Sequence, residues 1–84
     1  MALIKCEEYD YVEIVCLFHY PIKLVLKSGE VVEGIAQDTA RNGDKQECIA
    51  MNVNSKTVLV LLDQLLTLDV LIDNPHFKHI TFSQ

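Results

Sequence analysis

The sequence predicts a mostly β fold: a small antiparallel β-barrel of five to six strands with one N-terminal α-helix. Three observations lead there. Short runs of alternating apolar and polar residues recur across residues 21–82, and Gly, Asn, Asp and Ser turn signals separate them. The one stretch with helical periodicity comes first and is closed by Pro21. Consecutive strands joined by hairpins run antiparallel, and a helix leading into them covers one open end or face.

The helix is expected from Glu8 to about His19. Glu7 and Glu8 place negative charge on its first turn, where the backbone dipole is positive. Cys6 or Glu7 would stand at the cap. Pro21 forces Tyr20 out of helical geometry and ends the element. At about 100° per residue, Tyr11, Val12, Ile14, Val15, Cys16 and Phe18 share one broad side. Asp10, Glu13 and Leu17 gather within about 60° of one another on the other. The apolar side must pack on the strands that follow.

Pro21 to Lys27 alternates, with Ile22, Leu24 and Leu26 facing one way and Lys23, Val25 and Lys27 the other. Ser28-Gly29 signals a tight turn. Glu30 to Asp38 follows as a second strand, in which Gly34 marks a bend or bulge. Arg41-Asn42-Gly43-Asp44 reads as a loop. Gln46 to Val53 is a third strand and Asn54-Ser55 a turn. Lys56 to Leu62 is a fourth, apolar on both faces and therefore expected at the centre of the sheet. Beyond a break at Asp63-Gln64 comes a fifth strand, with Leu66, Leu68, Val70 and Ile72 inward and Thr67, Asp69 and Leu71 outward. Asp73-Asn74-Pro75 turns the chain into a short sixth strand, Lys78 to Phe82.

The 84 residues are expected to form one domain over positions 1–84. Twelve acidic residues against seven basic ones give a formal charge of −5. A nucleic-acid binder carries a basic stripe that attracts phosphate. This chain's field repels phosphate and steers toward a cationic partner. Its three cysteines are odd in number and form no CxxC; Cys6 and Cys16 would lie roughly 15 Å apart along a helix, too far for a disulfide. Reduced thiols and a cytoplasmic location follow. The residues from Met1 to Glu7 turn acidic too soon for a signal peptide, and the apolar stretch from Val58 to Ile72 is too short and too polar to span a bilayer. No phosphate loop, catalytic motif or metal-ligand set stands out, so no cofactor and no enzymatic activity are expected.

Two resemblances sharpen this reading. The run from Leu24 to Asp38, with Gly29 at the hairpin and Gly34 within the second strand, is similar to the first motif of Sm-like proteins. Their second motif, an Arg-Gly or Lys-Gly pair that contacts RNA, is replaced here by Leu61-Leu62-Asp63-Gln64-Leu65. More closely, Cys6-Glu7-Glu8-Tyr9-Asp10, then Val12-Glu13-Ile14, then Cys16 and His19, resembles the opening of the Rho-binding antiterminator (Rof) family of bacteria. The hairpin residues Leu24, Leu26, Lys27 and Gly29 and the later Leu62-Asp63 continue the likeness. Tyr11 and Leu17-Phe18 depart from it, standing where that family has more polar residues.

The resemblance implies an Sm-like barrel behind an N-terminal helix. It also implies binding to the termination factor Rho at its RNA-binding domain, which blocks RNA loading. Glu8, Asp10 and Glu13 would then face Rho and occupy basic ground otherwise used by phosphate. Glu7, Tyr9 and Leu17 complete the expected contact face. Glu7 is also a candidate cap, Tyr9 is either a contact or a packing staple, and Tyr9 and Leu17 are the candidates for the apolar core that affinity requires. The expected state is a monomer that touches neither nucleic acid nor membrane. The alternative is an Sm-like RNA-binding subunit of a homo-oligomeric ring, which needs a basic face and self-association.

Overall fold

The computed structural model describes residues 6–82, with side chains from residue 7 onward. Helix α1 (Cys6–Leu17) leads into strands β1 (Pro21–Leu26), β2 (Val31–Arg41), β3 (Glu47–Val53), β4 (Lys56–Leu61), β5 (Leu65–Val70) and β6 (His79–Thr81). A short 3₁₀ turn, Leu62–Gln64, separates β4 from β5. All strand pairs are antiparallel, in one sheet ordered β4-β3-β2-β1-β5-β6. The fold is therefore mostly β with one N-terminal helix. The hydrogen-bonded sheet does not close into a ring; β4 and β6 are its edges.

α1 begins at Cys6. Its capping residue and the Cys6 side chain, both addressed by the sequence reading, lie outside the described residues. At the other end, the helix stops two residues earlier than expected. Tyr20 N–H donates to Val15 O (3.0 Å) and His19 N–H to Cys16 O (3.2 Å), while His19 adopts a left-handed φ of 52°. That is a Schellman closure, with His19 in the position usually given to glycine. Pro21 is thus the first residue of β1 and not the helix breaker itself.

Val12 and Val15 of α1 meet Ile22 and Leu24 of β1, Met51 of β3 and Leu68 of β5 in the core. Two β-bulges shape the sheet. In β2 the pairing with β3 slips between Ala36 and Asp38, leaving Gln37 unpaired. In β5 the pairing with β1 jumps from Thr67 to Leu65, leaving Leu66 as the extra residue. Leu66 is consequently exposed, not inward, and so is Ile72, which falls beyond the end of β5. β4 is likewise an edge strand and not a central one. Its apolar residues divide between the core (Val60) and solvent (Leu59).

Gly29 closes the first hairpin with φ of 92°. The loop spans three residues, with Gly29 N–H bonded to Leu26 O and Leu26 N–H to Glu30 O, each at 2.8 Å; its last position needs the left-handed conformation. Gly34 answers a different need. A Cβ there would strike the Asn52 carbonyl oxygen and lie 2.8 Å from Val53 Cγ2. β3 crosses it too closely for any side chain. The second hairpin turns on Asn54 and Ser55, both with positive φ (52° and 68°), as a two-residue type I′ turn requires.

Candidate functional site

α1 lies against β2, and the segment after the helix fixes it there. The His19 ring Nδ1–H donates to Ala36 O (3.1 Å), which sets its tautomer. Ala36 N–H donates to Tyr20 O (3.0 Å). Ala36 is thus held on both sides of its peptide, one residue before the β2 bulge. A bulge re-aims the side chains beside it. Here it leaves both Gln37 and Asp38 exposed next to the helix.

The result is an open groove of about 770 Å³ lined by Asp10, Glu13, Ile14, Cys16, Leu17, His19, Gln37, Asp38 and Thr39. Asp10, Glu13 and Leu17 come from successive turns of one helix face, at spacings of three and four. Asp38 faces them from β2, its Oδ1 accepting from Thr39 N–H (2.8 Å). The lining contains three carboxylates and no lysine or arginine. Away from the groove, Asp69 of β5 is hydrogen-bonded to the His79 ring of β6 (2.5 Å). The negative potential is felt beneath the groove. Cys16 has its thiol pushed up to about 12, first by burial and then by Asp38 and Glu13. Leu17 stands at the groove with 71% of its surface exposed.

The expected contact residues divide. Asp10, Glu13, Leu17 and Glu7 are exposed. Tyr9 is half-buried and packs against the core, as a staple would. Glu8 corrects the expectation of an outward carboxylate, since it is only 6% exposed. It precedes Val12 by four residues and Val15 by seven, and those spacings put it on the buried face. Tyr11 also packs, its ring 4.7 Å from that of Phe77. Phe18 departs from the expected apolar side. It sits outside the helix and stacks on Tyr20 (5.4 Å) and His76 (5.0 Å). Sequence reasoning missed Gln37, Asp38 and Thr39. One signal was present: unbroken alternation from Val32 through Gly34 and Ala36 would bury Asp38, and an acid on an inward position argues for a bulge before it.

The sequence model described as "Modulator of Rho-dependent transcription termination (ROF)" matches residues 3–82. This chain belongs to that family. A solved structure of YaeO bound to magnesium, from Vibrio cholerae O395, is 52% identical, with a TM-score of 0.86 over 89% of this chain and 97% of that one. No curated protein matches. The magnesium is a feature of that protein; among the described residues here, no group of three or more His, Cys, Asp or Glu side chains is arranged to hold a metal ion. The family is one of regulators of termination, and no described helix is long and apolar enough to cross a membrane.

Proposed function

We propose that this chain inhibits Rho-dependent termination by binding the RNA-binding domain of Rho through the groove beside α1, which keeps RNA from loading. The observation that carries this reading is the grouping of Asp10, Glu13 and Asp38 around one open groove with no basic residue in its lining. A protein surface built to hold RNA phosphate is basic. Three carboxylates held by a helix and a bulged strand present comparable negative charge to it. The chain itself makes no contact with nucleic acid, performs no chemistry and works in the cytoplasm, where termination occurs.

The roles within the face differ. Exposed ion pairs contribute about 0–1 kcal/mol each, so Asp10, Glu13 and Asp38 chiefly set orientation and association rate. Leu17 supplies the apolar surface that becomes desolvated on contact. Glu7 extends the acidic rim, while Tyr9 and the buried Glu8 support the helix from beneath. Calorimetric titration into purified Rho tests the reading. The expected result is binding that weakens at high salt and is lost when Asp10 and Glu13 are both changed to Lys. Absence of heat at low salt, or unchanged affinity in the double variant, would remove the proposal.

A further inference from the structure

β4 pairs with β3 along its whole length, from Val53↔Lys56 to Cys48↔Leu61, with no register shift. Among the described residues nothing pairs with its other side. Edge strands ordinarily carry charge, proline or a bulge, which discourage further pairing. β4 reads Lys-Thr-Val-Leu-Val-Leu, with a single charge at its start and none of the other devices. Leu59, at its middle, is 47% exposed.

The hairpin decides which backbone groups are free. Across a two-residue turn, the flanking residues Val53 and Lys56 exchange hydrogen bonds. Alternation then directs the N–H and C=O of Lys56, Val58 and Val60 toward β3. Those of Thr57 and Leu59, with the N–H of Leu61, face the open edge.

We propose that this edge pairs with the same edge of a second copy, β4 against β4, about a twofold axis at Leu59. An antiparallel ladder joins only residues whose backbone groups face the gap. Leu59 therefore meets Leu59 of the second copy, and Thr57 meets its Leu61, which forms about four hydrogen bonds. The same register sets Val58 beside Val60 of the second copy and Lys56 beside its Leu62, next to Asp63. Every pair from Thr57 to Leu61 is uncharged, and the strand's lone cation arrives beside an acid. That self-complementarity favours a second copy over an unrelated peptide. The chain's net charge of −5 opposes association, and β4 is a strand without any acid. The pairing revises the monomer expected from sequence. It uses no residue of the acidic groove and is independent of Rho binding.

Sedimentation equilibrium on the full chain, combined with amide hydrogen exchange, tests this. The average mass is expected to rise from one chain of 9.5 kDa toward two as concentration increases to about 1 mM, the range for so small an interface. The amides of Thr57, Leu59 and Leu61 gain protection over the same range. Leu59→Pro removes an edge-facing donor without touching the bonds to β3 and abolishes the rise. Leu59→Lys does the same through charge, should the proline variant fail to fold. A single-chain mass at every concentration, a Leu59→Lys variant that still dimerises, or species larger than two chains would overturn the twofold β4 pairing.

Discussion

Glu8 and Cys16 sit on the same side of α1 as the core valines, and each carries a measurable consequence. Glu8→Lys forces a longer cation into a site only 6% exposed. It should cost about 1–3 kcal/mol of stability, whereas Glu7→Lys, on the exposed first turn, should change it by less than about 0.5 kcal/mol. Thermal unfolding of the two variants separates them; equal melting temperatures would mean that Glu8 is not buried. Cys16 gives a pH dependence. Its thiol is pushed from 9.0 up to about 12 in the folded chain, foremost by burial and then by Asp38 and Glu13. The unfolded chain therefore loses this proton first as pH rises. The stability linked to Cys16 is complete below about 9 and declines from there toward about 12. At neutral pH an alkylating reagent should modify Cys16 only after denaturation. Rapid modification of the native protein would show that the thiol is accessible.

The elements were legible from sequence in proportion to how local their causes are. The six runs expected as strands are strands, because each is short, rich in apolar residues and bounded by its own turn residues. Hairpins at Gly29 and Asn54-Ser55 were readable because their backbone geometry favours particular residues. The limits of α1 were not, since its end depends on His19 accepting a left-handed conformation and not on Pro21. The bulges at Gln37 and Leu66 were also invisible, because register belongs to the partner strand. The place of β4 was hidden for a related reason: apolar residues on both faces do not say whether a further strand adjoins it, and here Leu59 faces solvent at the sheet edge. Gly34 carries the clearest test at this scale. Gly34→Ala drives a methyl into the Asn52 carbonyl of β3 and should destabilise by roughly 1–3 kcal/mol, read from the denaturant midpoint. Ser55→Gly, which relieves a left-handed residue in open turn geometry, should stabilise by about 1 kcal/mol. Neutral behaviour of Gly34→Ala would mean that β2 and β3 do not cross as closely as described.

Across the whole molecule, two of the three groove acids, Asp10 and Glu13, were legible in the helix pattern. Asp38 was not, because it joins Asp10 and Glu13 only after β2 has bulged and α1 has been fastened to Ala36. The site is thus a product of the fold as much as of the acidic N-terminal motif. Asp38→Lys should consequently weaken Rho binding about as much as Glu13→Lys, although they lie 25 positions apart in the chain. Parallel titrations of the two single variants check this, and an unaffected Asp38→Lys would confine the contact to the helix. The most direct measurement is displacement of labelled single-stranded RNA from purified Rho. The native chain should release the RNA as its concentration rises, and the variant with Asp10, Glu13 and Asp38 all changed to Lys should not. Contradiction would come from RNA that stays bound in the presence of saturating native protein, or from equal release by the charge-reversed variant.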